Sequence, residues 1–128
     1  MYWYLCSSYY KHPWGTGRAF QMATRATGQL MNAGIPVFSP VTHLHPLTSL
    51  AEFNPRSGTA ESTLYDMLGR TLLDSAYGLI VLRDDEWENN SGIHWTIARA
   101  KDQGKPVVFM DPGTVPAELR QEVEESVG

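Results

Sequence analysis

The stretch from Gly78 to Val108 constrains this chain most. It opens with Gly78-Leu79-Ile80-Val81-Leu82, a short continuous apolar run of the kind that forms a strand buried on both faces. A polar, acidic loop follows, from Arg83 to Asn90. Ser91-Gly92 then starts a segment in which Ile93, Ile97 and Ala100 recur at helical spacing, and Gly104-Lys105-Pro106 stops it. Val107-Val108-Phe109-Met110 begins another strand. Strand, loop, helix and strand in this order predict a parallel crossover unit, and in such sheets ligands bind beyond the carboxyl ends of the strands. The loop at 83–90 is therefore the first place to expect a site.

The rest of the chain extends the same pattern. Met1 to Cys6 reads as a first strand rich in aromatics, and Ser7 to Gly17 as a loop. A helix is predicted from near Gly17 to Asn32-Ala33, with Phe20, Ala23, Thr27, Leu30 and Met31 on one face and Gly34 as its C′ residue. Ile35 to Phe38 is a second strand, and Pro36, lacking an N–H, suits an edge. Ser39 to Thr59 has no periodicity and reads as a long irregular loop or lid containing Pro40, Pro46 and Pro55. From Ala60 to about Asp74 the pattern is helical, with Leu64, Met67, Leu68, Thr71 and Leu72 on one face. A last helix is expected from about Pro116, lined by Val115, Leu119 and Val123. The order is βαβ–loop–αβαβα, an α/β class with a four-stranded parallel core between helices.

Composition narrows the function classes. A net charge of −4 with scattered basic residues is a poor match for nucleic-acid binding, which needs clustered Lys and Arg. One cysteine, Cys6, excludes an internal disulfide and fits a reducing compartment. No apolar stretch approaches the ~20 residues that span a bilayer. With no basic leader at the N-terminus, the expectation is a soluble cytoplasmic domain without a membrane partner.

Several residues invite chemistry. His43 and His45 have a metal-like His-x-His spacing, but no other ligands share it, so no metal is expected. The imidazoles are expected instead to hydrogen-bond within their loop or to contact a ligand. Gly15-Thr16-Gly17 before a helix, with Lys11 and Arg18 nearby, would let backbone N–H groups approach a phosphate, although such glycines are also ordinary turn residues. Asp66 lies roughly 200° from Leu64 on helical geometry, off the expected apolar stripe, which predicts a solvated carboxylate. Asp84, Asp85, Glu86 and Glu88 form an acidic run beyond a buried strand, where one of them can face a ligand.

Taken together, these pieces resemble the nucleoside 2-deoxyribosyltransferase-like superfamily. The residues that carry the likeness run from Phe38-Ser39-Pro40-Val41-Thr42-His43-Leu44-His45-Pro46 through Tyr65-Asp66 and Asp74 to Gly78-Leu79-Ile80-Val81-Leu82. They continue with Trp87-Glu88, Ser91-Gly92-Ile93, Ala98 and Gly104-Lys105-Pro106-Val107. Tyr4-Leu5-Cys6-Ser7-Ser8-Tyr9 is similar to the opening of a branch of small phage and bacterial proteins of unassigned function. The likeness implies one Rossmann-like three-layer domain over residues 1–128, with a four- to five-stranded, mainly parallel sheet. It also implies a homodimer or larger oligomer, no cofactor, and a nucleoside or nucleotide held over the strand ends. Relatives in that superfamily break the N-glycosidic bond with a helical glutamate as nucleophile and a nearby aspartate handling the proton.

By the same likeness Ser7, Ser8 and Tyr9 line the pocket, Ser91 and Gly92 donate N–H groups, and Asp66 turns toward the ligand rather than to water. Arg18, His43, His45 and Trp87 are further candidate contacts. The pattern breaks at the nucleophile, because Thr96 stands where the superfamily has glutamate. A threonine hydroxyl is neutral and cannot supply the charge that stabilises an oxocarbenium ion. The expectation is a nucleotide-binding site, suited to sequestering a nucleotide-derived signal, in which cleavage is lost or altered. The alternatives are an N-glycosidase using a loop carboxylate, Asp84, Asp85, Glu86 or Glu88, and an interaction module with a vestigial cleft.

Overall fold

The computed structural model describes residues 1–10, 12–53 and 61–119, with the side chains of 61–65 excepted. Its elements in chain order are β1 (Trp3–Cys6), α1 (Thr16–Asn32), β2 (Val37–Phe38), α2 (Pro40–Leu44), a 3-10 turn (His45–Ser49), α3 (Glu61–Ser75), β3 (Gly78–Leu82), a second 3-10 turn (Trp87–Asn89), α4 (Ser91–Asp102) and β4 (Val107–Met110). All four strands are parallel, in the order β2-β1-β3-β4. The result is a three-layer α/β, Rossmann-like fold. β2 is an edge strand, as Pro36 predicts. Among the described residues no helix is long and apolar enough to cross a membrane.

Period-two alternation along the strands divides the core into two layers. Trp3, Leu5, Ile80, Leu82, Val108 and Met110 pack with Ala26 and Leu30 of α1 and with Leu119. Tyr4, Cys6, Leu79 and Val81 face the other way, onto Leu73 of α3 and Ile93 and Ala100 of α4. β1 and β3 are buried along their whole length, as continuous apolar runs must be. They pair in register from Trp3↔Gly78 to Cys6↔Val81. Gly78 is required there: a Cβ at that position would lie 2.5 and 2.8 Å from Trp3 ring carbons and 2.9 Å from Pro106.

Three expectations are corrected. Segment 39–53 is largely helical, because Ser39 caps α2 by accepting from the Thr42 N–H and Pro40 occupies the first turn. That segment packs against α1, and residues 54–59 lie outside the described part. On α1 the buried face is Ala19, Ala23, Ala26 and Leu30, while Met31 is 60% exposed. Small side chains let this helix sit close to the sheet and to Val41. On α3 the buried residues are Gly69, Leu73 and, just beyond its end, Ala76; Met67 is 54% exposed and Thr71 is exposed. The helix is turned about one residue from the most hydrophobic stripe, because the Tyr4 hydroxyl occupies space that only Gly69 leaves open, 2.9 Å from where a Cβ would sit. Residues 117–119 start the expected last helix, whose remainder, with Val123, lies outside the described residues.

Asp74 ties α3 to α4. Its carboxylate accepts from Arg99 Nε at 2.9 Å, Arg99 Nη2 at 2.8 Å and Gln103 Nε2 at 2.7 Å. Lys105 Nζ donates to the Asp74 and Ala76 carbonyls at 3.2 and 2.6 Å, satisfying the end of α3.

Two stability predictions result. Gly78→Ala should destabilise the fold by about 1–3 kcal/mol, the usual cost of forcing atoms into a filled core, read as a lower urea midpoint. The hydrogen bonds from Arg99 and Gln103 hold the Asp74 carboxyl down at about 2, against an ordinary 3.8. A depressed carboxyl contributes stability above its unfolded value and loses it as pH falls through the folded one. The gap in urea midpoint between the native chain and Asp74→Asn should therefore be full at neutral pH and shrink steadily below about pH 4.

Candidate functional site

β1 is flanked by β2 on one side and β3 on the other, so the chain leaves β1 and β3 toward opposite halves of the sheet. Their carboxyl ends form the crevice at a topological switch point, the usual binding place in doubly wound sheets. Two buried residues clasp it. The Ser8 N–H donates to Asp84 Oδ2 at 3.0 Å, and Ser8 Oγ donates to Asp84 Oδ1 at 2.9 Å. Burial raises the Asp84 carboxyl above the ordinary range, and the two bonds from Ser8 oppose that rise.

A cleft of about 560 Å³ opens beside this clasp, on the α3–α4 face. Tyr4, Cys6 and Ser7 form its floor; Tyr9 and Tyr10 come from the loop after β1. One wall is α3, through Asp66, Gly69, Arg70 and Leu73, and the other is the start of α4, from Asn90 to Thr96. The rotation of α3 explains the wall. Asp66, Arg70 and Leu73 lie at i, i+4 and i+7, so burying Leu73 against the sheet places Asp66 along the cleft. Asp66 is exposed, in keeping with the apolar pattern, and it also borders the cleft, in keeping with the family likeness.

The helix start at α4 supplies donors. Asn90 caps it, its side chain accepting from the Ile93 N–H at 3.1 Å. The Ser91 and Gly92 N–H groups have no intrahelical partner and carry the positive end of the helix dipole. Thr96 lines the cleft half-buried, its Oγ1 donating to the Gly92 carbonyl at 2.8 Å. Burial pushes the Cys6 thiol up to about 12, against an opposing effect of the Thr96 hydroxyl, so Cys6 is a neutral thiol at physiological pH. Burial likewise raises the Tyr4 phenol. Ser7 Oγ is buried without a hydrogen-bond partner, at the cleft floor.

The other predicted residues sit elsewhere. Asp85 lies behind the clasp, its Oδ2 3.3 Å from His12 Nε2 and 3.7 Å from Arg18 Nε. His12 is buried, its Nδ1 accepts from the Trp14 N–H at 3.1 Å, and its Nε2 faces Asp85 Oδ2 without a hydrogen bond. Glu88 is exposed and does not line the cleft. Trp87 packs on Phe109, with ring centroids 5.6 Å apart, and belongs to the core layer under α4. His43 is exposed on α2. His45 acts at one remove: its Nδ1 bonds the Tyr9 hydroxyl at 2.7 Å while its ring stacks on Phe20 at 4.6 Å. Gly15, with φ 91°, starts α1 away from the cleft. Among the described residues no group of three or more His, Cys, Asp or Glu is gathered as a metal ion requires.

Sequence reasoning overlooked Tyr4, Cys6, Gly69, Arg70, Asn90 and Trp95 as cleft residues. Asn90-Ser91-Gly92 was the readable signal among them, an N-cap followed by a helix start. The side chains on the strand and on α3 depend on which face each element buries.

A family model described as a domain of unknown function, DUF1937, matches residues 4–112. No curated protein matches the chain.

The clasp generates a test of how the crevice is held. Ser8→Ala leaves Asp84 buried with one of its two bonds, which should cost about 1–3 kcal/mol in chemical denaturation. A change within experimental error would show that the carboxylate finds another donor.

Proposed function

We propose that this chain, which belongs to the DUF1937 family of domains of unknown function, binds a nucleoside or nucleotide in the switch-point cleft and does not cleave it by a covalent glycosyl-enzyme. One observation carries the reading. The α4 position that would present a nucleophile to the cleft holds Thr96, a neutral hydroxyl already engaged with the Gly92 carbonyl. Cys6 and Tyr4 beneath it are kept protonated by burial, so they offer no anionic nucleophile either.

The remaining lining fits recognition. A nucleotide presents a planar base, a hydroxylated sugar and an anionic group. Tyr9, Tyr10 and Trp95 offer aromatic surface to the first, Ser7, Ser91 and Asp66 offer polar partners to the second, and Arg70 with the α4 N-terminus suits the third. The likeness to nucleoside 2-deoxyribosyltransferases supports the same ligand class. Sequestration of a nucleotide-derived signal is the role that binding without turnover would serve, and a homo-oligomer is the assembly that the likeness suggests. The route through a loop carboxylate is less supported, because Asp85 and Glu88 do not line the cleft. Asp66 is the carboxylate among the described residues that does, and on α3 it lies on the wall across the cleft from the Thr96 position rather than in it.

The test pairs thermal shift with chromatographic detection of free base, using deoxynucleoside 5′-monophosphates and ADP-ribose-type nucleotides. The expected result is a shift without base release by the native chain. Thr96→Glu should acquire slow base release, and Asp66→Asn in that background should abolish it. Turnover by the native chain would overturn the reading, and no shift with any nucleotide would favour an interaction module.

A further inference from the structure

Trp95 is 49% exposed on α4 and lines the cleft. A large aromatic side chain usually buries its surface in a core or an interface. This indole is instead held at the cleft edge by a chain of polar contacts. Arg99, one helical turn further on, places its guanidinium carbon 5.5 Å from the ring centroid. Arg99 is itself fixed by a bidentate pair with Asp74, and Gln103 donates to the same carboxylate. An arginine guanidinium stays charged at physiological pH, so the cation over the indole is permanent.

The join between α3 and α4 accounts for the pair of Asp74 with Arg99 but not for an exposed indole set against it. An exposed ion pair contributes little, and ordering the long Arg99 side chain costs rotamer entropy. A rigid aromatic surface beside an open cleft has another use. Binding is tightened when the receptor surface is ordered before the ligand arrives, since that ordering is no longer subtracted from affinity. The cleft has the volume of a small-molecule site and carries polar groups on its other walls, so the partner of the ring is a planar group on a small polar ligand.

We propose that Trp95 is the platform on which the heterocyclic base of the ligand stacks, and that Arg99 and Asp74 are positioning residues that hold the indole in place. The inference rests on the nucleotide reading given above and deepens it: the base, and not only the sugar and phosphate, is recognised. Stacking on one face accepts any planar base, so discrimination among bases at this position is weak.

The test titrates the full chain with the four deoxynucleoside 5′-monophosphates and with 2-deoxyribose 5-phosphate, which lacks a base. Affinity is read by calorimetry and the indole by tryptophan fluorescence. Nucleotides should quench emission, and the sugar phosphate should bind at least about tenfold more weakly. Trp95→Ala should weaken nucleotide binding by roughly 10- to 100-fold, with the sugar phosphate unaffected and the circular dichroism unchanged. Trp95→Phe should recover most of the affinity. Arg99→Gln should lose a few-fold, and Arg99→Lys, which keeps the cation but not the bidentate pair, should restore part of it.

Equal nucleotide affinity in the native chain and Trp95→Ala, or equal affinity for sugar phosphate and nucleotide, would overturn the Trp95 assignment and leave the nucleotide reading standing. A change of oligomeric state in Trp95→Ala without a change in affinity would place the indole at a contact between copies and also overturn it. Absence of binding by every nucleotide would overturn both.

Discussion

The pairing of β1 with β3 is the constraint on which the rest of the structure depends. Both strands are buried on both faces, so their backbone N–H and C=O groups must be satisfied within the sheet, with no water to substitute. The join is tight at its amino end, where the Trp3 ring lies over Gly78 and the Tyr77 N–H donates to the Tyr2 carbonyl at 2.8 Å. It opens at the carboxyl end, where the two chains turn to opposite sides. Ser8 and Asp84 bridge that opening from opposite loops, 76 residues apart in sequence. The crevice is thus a consequence of strand order, and the clasp joins its two loops.

The two faces at the crevice have different fates. On the α1 side His12, Asp85 and Arg18 pack against one another, and Tyr9, His45 and Phe20 join the first loop to the helical segment after β2. On the α3–α4 side the helices stay apart where Gly69 and the start of α4 border the strand ends, and a cleft results. Charge follows the same division. Asp85 is opposed by His12 and Arg18, whereas Asp66 and Arg70 border open space with no ion-pair partner among the described residues. A paired carboxylate behind the crevice is scaffold. Asp66 and Arg70, one turn apart on α3, instead border the open cleft.

The chemistry available at the cleft is limited by protonation. Cys6 and Tyr4 lie where their anions would be desolvated, and Thr96 has a hydroxyl with no base beside it in the described residues. Oxocarbenium-like transition states need negative charge near the anomeric carbon, and a floor of neutral hydroxyls and a neutral thiol does not supply it. The same floor is well suited to ground-state binding, because neutral polar groups are desolvated at less cost than ions.

The sequence by itself determined the layer order, the parallel sheet, the edge position of β2, the helix stops at Gly34 and Gly104, and the switch-point loops. Each of these is local: an apolar run, a missing N–H, a residue with positive φ, such as 82° at Gly34 and 70° at Gly104. Its likeness to a known superfamily also pointed to Ser7, Tyr9, Ser91, Gly92 and Thr96, which border the cleft. It misread the helix faces, and with them part of the cleft. On α1 and α3 the most hydrophobic stripe is not the buried one; small residues, Ala19 and Ala23 on one and Gly69 on the other, were needed where the backbone comes close to its neighbours. Close approach is a property of two elements at once, and a single helix pattern contains no record of its partner. Only the tertiary structure could therefore bring Arg70 to the cleft, move Asp85 away from it, and set Arg99 against Trp95.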